Sequence, residues 1–407
     1  MILITCFAPT LVENLALCLG LAPDTMYLLG DSQQMTPCAA RYRDILRKRQ
    51  ISTKIELQDI RRMDLDAVCR LLSSLVPKGE DCVIDLTGGN DLVAMAVGAM
   101  LATVSPDRRS HISVQKFDAQ LIRATDRDGD GRVVTGPSSP ITVDELIALY
   151  GGIIHPGTYQ PPRNCTPRDL EPLWELVRES PKDWNHSLSV LGEFESRSDS
   201  KTQVYIPLSC LHSIGNFEEK EQTLRKLLEH FDRRGVIRDE SSRDYLEYTY
   251  TSEFLRHCTQ KAGNVLEIKT LLEARALEKD GKPFFRDCRM GVNIDWDGIV
   301  YGQEKHKPET RNEVDLVLTR GYTPLFVSCK NGKIEEEELY KLHTVATRFG
   351  GPHARKMLVA TDLDLKSAIA EKAFIQRAKD MGIYVVTDAA KLSKEDWQDI
   401  FPAAMDL

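Results

Sequence analysis

A chain of 407 residues holds two or three domains, at a soft prior of roughly 150 residues each. Hydrophobic residues make up 42% and charged residues 28%, a globular composition well away from that of disordered chains. The balance of 53 Lys+Arg against 61 Asp+Glu leaves a net charge of −8, which excludes a basic nucleic-acid coat while leaving room for a local basic cleft.

No stretch approaches the roughly 18 apolar residues needed to cross a bilayer, so no membrane partner is expected. The opening MILITCFAPTLVENLALCLGL carries Glu13 and lacks a basic leader, so it reads as a first strand and helix rather than a signal peptide. Ten cysteines are scattered with no pair at C-x-x-C spacing and no His pair to complete a zinc set. Several, Cys6 and Cys82 among them, sit in apolar runs where a free thiol behaves as a small hydrophobe. A reducing, cytoplasmic location is the expectation.

In chain order, strands are predicted at Met1–Phe7, Thr25–Leu29, Thr53–Glu56 and Asp81–Leu86. Helices separate them near Leu11–Leu21, Arg41–Gln50 and Leu65–Leu75, and an apolar helix, Asp91–Leu101, follows. Nearly continuous apolar strands alternating with helices imply a parallel sheet covered on both faces. Two more strands near Ile112–Phe117 and Gln120–Thr125 complete a Rossmann-like α/β domain, 1–140. Residues 141–251 read as a connector. The Pro/Gly-rich stretch Gly151–Asp169 suggests a linker, and helices are predicted at Leu170–Glu179 and Glu218–Arg234. A small hairpin of Val236–Arg238 and Leu246–Thr251 gives the connector a winged-helix-like look.

A third unit, 252–407, starts with the helices Phe254–Lys261 and Asn264–Leu277. Strands Met290–Trp296, Glu313–Leu318 and Leu325–Ser328 follow, then helix Ile334–Phe349, strand Lys356–Ala360, helix Leu365–Met381 and strand Ile383–Thr387.

Three patterns bear on chemistry. Asp126-Arg127-Asp128-Gly129-Asp130-Gly131 opens like a calcium loop, but loop position 12 is Pro137 rather than a bidentate Glu, so an acidic surface turn is expected. Asp85-Leu86-Thr87-Gly88-Gly89-Asn90 stands between a buried strand and a helix. Its glycines permit a tight turn and close approach to a ligand, and the helix start offers free N–H groups to a phosphate. With Phe7-Ala8-Pro9-Thr10 beside it at the carboxyl edge of the sheet, this is the expected ligand site; a plain βα turn accounts for the same residues. No Walker or G-x-G-x-x-G pattern occurs.

The third pattern pairs Asp315, within a strand, with Lys330, which ends the next strand 15 residues later, and adds Glu267 on the helix upstream. Two carboxylates and a lysine suit a hard-cation site for phosphodiester cleavage, with one or two Mg²⁺ or Mn²⁺ ions activating water. Lysine can stabilise the developing charge. A simple strand-end ion pair of Asp315 with Lys330 is the competing account.

Four segments give the third unit a closer likeness: Gly263-Asn264-Val265-Leu266-Glu267, Asn312-Glu313-Val314-Asp315, Val327-Ser328-Cys329-Lys330-Asn331-Gly332, and Glu338-Leu339 with Arg348-Phe349-Gly350-Gly351. They resemble the PD-(D/E)xK restriction-endonuclease-like α/β domain of the CRISPR ancillary nucleases that carry an N-terminal CRISPR-associated Rossmann fold (CARF) domain. Thr87-Gly88-Gly89-Asn90 is similar to the CARF ligand loop. The resemblance implies a homodimer that binds a cyclic oligoadenylate, most often cyclic tetra-adenylate, during type III CRISPR antiviral defence, and then cuts DNA, RNA or both with a divalent metal. It assigns Glu267, Asp315 and Lys330 to catalysis. Glu267, Asp315 and the backbone carbonyl of Cys329 would hold the metal, and the 7–10 and 87–90 loops would bind the messenger. Ser328 departs from the pattern where a second acid is usual; a hydroxyl is a poorer hard-cation ligand, which implies modest metal affinity and a preference for Mn²⁺.

Two other function classes stay open on the residues themselves. One is a ligand-responsive regulator using the middle helices to read DNA, although the charges of Glu218–Arg234 are interleaved rather than basic. The other is a catalytically inactive oligonucleotide-binding protein, suggested by Ser328. Tyr340, His343 and Arg348, the basic helix face of Arg41, Arg43, Arg47, Lys48 and Arg49, and the acidic run Glu335–Glu338 are expected to serve structure. His155 and His212 have no partner in the sequence pattern, and Trp174, Trp184 and Trp296 read as core.

Overall fold

In the computed structural model the residues described are 1–8, 10–76, 78–89, 91–118, 123–127, 133–135, 139–196, 202–210, 215–296, 311–363, 365 and 367–406. Of the candidate residues named above, Pro9 and Asn90 lie outside them, as do His212 and most of the Asp126–Gly131 motif.

The N-terminal alternation builds one seven-stranded sheet. Its elements are β1 (Ile2–Cys6), α1 (Val12–Leu21), β2 (Thr25–Gly30), α2 (Ser32–Lys48), β3 (Lys54–Asp59), α3 (Leu65–Leu75), β4 (Cys82–Asp85), α4 (Asp91–Thr103), α5 (Pro106–Arg109), β5 (Ile112–Asp118), β6 (Arg123–Arg127) and β7 (Val133–Thr135). The order is β3-β2-β1-β4-β5-β6-β7, parallel from β3 to β5 and antiparallel beyond. β1 and β4 are buried along nearly their whole length, and apolar but for Thr5 and Asp85, because helices cover both sheet faces. The chain winds outward from β1 to β2 and β3, then crosses back to β4 on the other side of β1. The order therefore reverses between β1 and β4, and their carboxyl ends flank the crevice where open α/β sheets bind ligands. The outer face of α4 carries exposed Ala94, Met95, Gly98, Ala99 and Ala102 with no charge among them.

The connector holds α6 (Val143–Leu149), β8 (Ile153–Ile154), α7 (Pro167–Glu179), α8 (Pro181–Glu195), β9 (Gln203–Pro207), α9 (Phe217–Arg233), β10 (Ile237–Asp239) and β11 (Tyr245–Tyr250). β10 and β11 pair as the sequence suggests, and β9 adds a third strand. α8 and β9 were not anticipated. Nor does the Pro/Gly-rich stretch act only as a linker, because Ile153 and Ile154 pair with Asp295 and Ile294 in the C-terminal sheet.

The last part comprises α10 (Glu253–Thr259), α11 (Asn264–Ala276), β12 (Glu278–Lys279), β13 (Lys282–Pro283), β14 (Asp287–Asp295), β15 (Arg311–Arg320), β16 (Thr323–Lys330), α12 (Glu337–Gly350), β17 (Arg355–Ala360), α13 (Ala368–Asp380), β18 (Ile383–Val386) and an unanticipated α14 (Lys394–Asp406). Its six-stranded sheet runs β18-β17-β16-β15-β14-β8, with β14, β15 and β16 antiparallel and β16 to β18 parallel. Strand alternation sends Leu316, Leu318, Val327 and Cys329 into one apolar cluster with Leu266, Ile268 and Leu271 of α11. Val317 and Phe326 enter another with Leu339, Leu342, Val345 and Phe349 of α12. That second cluster also contains Leu11, Leu15 and Leu19 from the first sheet's helix layer and Leu146 and Ile147 of α6, so the two sheets share a core.

Candidate functional site

Two sites emerge, one at each sheet. The crevice between β1 and β4 is fixed by a buried polar network. Asn14, fully buried on α1, donates to Thr5 Oγ1 (2.9 Å) and the Cys6 carbonyl (2.5 Å), and accepts the Ala8 N–H (2.7 Å). Thr5 donates to Asp85 Oδ2 (2.7 Å), while Thr87 donates its N–H (2.9 Å) and hydroxyl (2.5 Å) to Asp85 Oδ1. Burial raises the Asp85 carboxyl to about 6, against the pull of these donors. Thr87 is itself buried and holds its loop from within. Gly88, at φ +69°, is the contact between loops: a Cβ there would stand 2.4 Å from the Cβ of Ala8. Only glycine permits both the left-handed backbone and this approach. Gly88 and Gly89 are exposed, and Phe7 and Thr10 half-buried.

The first loop is also tied to elements beyond the first sheet. Thr10 donates its hydroxyl to Glu13 Oε2 (2.7 Å), and its carbonyl accepts from Tyr150 Oη (2.7 Å). Glu13 Oε1 lies 2.9 Å from His353 Nε2, and the His353 contact leads the effects that hold the Glu13 carboxyl below its ordinary range.

The second site is a cleft of about 80 Å³ lined by Glu313, Asp315, Ser328, Lys330, Glu338 and Lys341 with neighbouring apolar side chains. β15 and β16 pair from Arg320↔Thr323 to Leu316↔Val327. Continuing that register sets Asp315 opposite Ser328, where the carboxylate takes the place of a ladder partner. Its Oδ2 accepts the Cys329 N–H (2.6 Å) and the Ser328 hydroxyl (3.2 Å). Strand N–H and C=O of one residue face the same neighbour, so the Cys329 carbonyl is directed to this side as well. Burial raises the Asp315 carboxyl, opposed by the Cys329 N–H and the Lys330 charge. Lys330 Nζ pairs with Glu338 Oε2 at 2.8 Å. Burial works against the ammonium, but Glu338 and the Asp315 charge outweigh it and hold the Lys330 pKa above the ordinary value.

Asp315 and Lys330 thus share one cleft. Glu267 is not among its lining residues. It sits in the first turn of α11, over the opposite sheet face, and Gly263 packs beside its Oε1. Burial first, then the negative charges of Asp315 and Glu313, raise its carboxyl to about 7. Glu338, expected above to serve structure as part of the acidic run Glu335–Glu338, lines this cleft; its place on the first turn of the helix after Lys330 was the available signal.

The remaining candidates engage one another. Arg49 forms a paired contact with Glu145 (2.6 Å), Arg41 and Arg43 donate to the carbonyls of Leu149 and Ile55, and Arg47 and Lys48 pair with Asp44. Arg41, Arg43 and Arg49 are therefore spent on internal contacts, while Arg47 and Lys48 stay exposed beside Asp44. Tyr340 accepts from Arg377, His343 lies beside Lys356, and Arg348 donates to the Tyr150 carbonyl (3.1 Å). His155, partnerless in the pattern, lies 3.5 Å from Asp295. Trp174 and Trp184 are buried.

Among the described residues no group of three or more His, Cys, Asp and Glu side chains stands together as a metal site. The donor chemistry nevertheless suits a hard cation that keeps much of its water. Mg²⁺ and its analogues commonly bind through one or two carboxylates, and the oxygens at hand are those of Asp315, Glu267 and the Cys329 carbonyl.

No protein-family model and no curated protein matches the chain. Solved structures do. The crystal structure of protein VC1899 from Vibrio cholerae matches at a TM-score of 0.69 and 18% identity, covering 100% of this chain and 97% of that one. Can2 from Sulfobacillus thermosulfidooxidans, solved in complex with cyclic tetra-adenylate, matches at 0.63 and 14% identity, with the same coverage of 100% and 97%. A Type III CRISPR defence DNA nuclease activated by cyclic oligoadenylate gives 0.48 and 17%, covering 90% of this chain and 46% of that chain, too distant to argue from. At these identities the likeness is one of fold: a mixed α/β chain with a parallel sheet, shared end to end with VC1899 and Can2.

Proposed function

We propose that the chain is a CARF-type nuclease, gated by a cyclic oligoadenylate and active as a homodimer in type III CRISPR defence. The observation that carries this reading is the presence in one chain of two chemically different sites on two sheets. One is a glycine-built crevice at a topological switch point, where a buried carboxylate is enclosed by hydroxyls and an N–H. The other is a cleft in which a carboxylate, a lysine and a second carboxylate meet. The first suits binding and the second hydrolysis. The whole-chain likeness to Can2, solved with cyclic tetra-adenylate, supports that messenger as the ligand.

In the crevice, exposed backbone at Gly88 and Gly89, the 7–10 loop and the start of α4 would receive a phosphate-bearing ring. A two-fold symmetric ligand fits a two-fold dimer. The outer face of α4, uncharged from Ala94 to Ala102 and next to that crevice, is the surface a second copy would cover. In the cleft, Asp315 is held by Cys329 and Ser328 with its second oxygen left for a cation, and Lys330 supplies positive charge to the scissile phosphate. A divalent metal, when bound, would lower the pKa of a water and screen phosphate charge. Ser328, spent on Asp315, adds no carboxylate, which favours Mn²⁺ over Mg²⁺.

The test incubates the purified protein with supercoiled plasmid and with single-stranded RNA in Mn²⁺, with and without cyclic tetra-adenylate. Cutting is expected only with the messenger and is expected to vanish in Asp315→Ala and Lys330→Ala. Cutting that ignores the messenger, or that survives both changes, would overturn the reading. A second reading, a catalytically inactive oligonucleotide-binding protein, is favoured by Ser328 and by the lack of a three-ligand cluster among the described residues; binding without any cutting would select it.

A further inference from the structure

Helix α12 runs from the cleft to the residues that hold the crevice loop. Its first turn carries Glu338, which holds Lys330 at 2.8 Å in the cleft. Fourteen residues at 1.5 Å per residue carry it about 20 Å to its last turn. There Arg348 donates to the Tyr150 carbonyl, and the glycine that caps the helix, Gly351, lies so close to Tyr150 that a Cβ would stand 2.3 Å from Oη. The same Tyr150 hydroxyl donates to the Thr10 carbonyl in the crevice loop. Two residues past that cap, His353 meets Glu13, which also accepts from Thr10. Between its ends, Leu339, Leu342, Val345, Ala346 and Phe349 are buried in the cluster that contains Leu11 and Leu15.

Such packing makes α12 a stiff body. Its hydrogen bonds run along its length, and buried side chains cannot shift independently without opening voids. A displacement of the 7–10 loop must break the Tyr150 and Glu13 contacts or move the helix end that they hold.

We propose that Glu338 is a positioning residue for Lys330, and that α12 couples that position to the 7–10 loop through Tyr150–Thr10 and His353–Glu13. The proposal deepens the reading above by naming the regulation of the same cleft. It places leverage for the ligand in contacts within one chain, Tyr150 to Thr10 and His353 to Glu13. The messenger gains leverage only by favouring one arrangement of this helix over another.

Amide hydrogen exchange on the full-length protein tests it in two arms. Without ligand, His353→Ala and Tyr150→Phe are compared with the wild type. Exchange is expected to quicken at least threefold at residues 337–341 as well as near the mutated end. A change confined to residues 348–354 would overturn the coupling. With saturating cyclic tetra-adenylate, the wild type is expected to alter exchange at 337–341 by at least threefold, and His353→Ala combined with Tyr150→Phe, at a messenger concentration that saturates it by calorimetry, to lose most of that response. A full response in the double variant would overturn the proposal. If the wild type binds no messenger, the ligand reading falls while the first arm still decides the coupling. For Glu338, Gln is expected to lower kcat about tenfold with KM within twofold, and Asp to recover part of it; equal loss in Gln and Asp, or a change in KM alone, would sink the positioning role.

Discussion

Two aspartates, Asp85 fully buried at the end of β4 and Asp315 half-buried midway along β15, have surroundings that differ in kind. Asp85 is enclosed by Thr5 and Thr87, whose hydroxyls and N–H are uncharged. Asp315 accepts a similar pair of bonds from Cys329 and Ser328 but also faces Lys330, itself held by Glu338. A carboxylate surrounded by neutral donors can anchor a loop and little else. One that shares a pocket with a cationic side chain can take part in charge transfer. The pair teaches that a raised carboxyl alone does not tell the two sites apart; the charge on the neighbour does.

The comparison breaks most readily at Asp315. Asp315→Asn is expected to lower messenger-stimulated cleavage at least 10³-fold, read by plasmid nicking, with the same melting cooperativity as wild type. A next-largest effect lies on α4. A Cβ added at Gly98 has open space around it among the described residues, so Gly98→Arg should leave the fold intact yet shift a dimer toward monomer, with about a hundredfold weaker association by light scattering. Gly88→Ala forces a Cβ against Ala8 in a left-handed backbone and is expected to weaken binding of cyclic tetra-adenylate about tenfold by calorimetry. The smallest effect sharpens the contrast at Asp85. Its folded pKa, about 6, is raised above the unfolded value, so its stabilising contribution is present at low pH and is lost as pH climbs through 6. Asp85→Asn should therefore flatten the fall in Tm between pH 4 and 7 by a few degrees, at roughly 2–4 °C per kcal/mol.

Much of this was legible beforehand, for reasons that differ by element. β1 and β4 are buried on both faces and declare themselves as apolar runs; the turn that brings Asp315 and Lys330 together is local, so spacing suffices. α8 was missed because its start, Pro181, and its charged residues hide the apolar face of Trp184, Leu188 and Leu191. β8 was unreadable, since two isoleucines become a strand only through a partner about 140 residues away. His353 and Glu13, separated by 340 positions, leave no trace in any window of sequence. Glu338 was visible but grouped with a structural acidic run, because the pattern names residue types and not which neighbour claims them. That Glu267 approaches from the other sheet face, near enough for the Asp315 charge to raise its carboxyl, follows from which side α11 packs, and only the fold decides that.

The apolar cluster that joins α1, α6 and α12 has a practical corollary. An engineer who severs the chain near residue 140, hoping to graft the sensing half onto a new effector, would strip a greasy stripe from both fragments. Each piece would then be prone to clump rather than work alone. Modular in ancestry or not, this molecule has been welded, and any swap of parts must carry the seam with it.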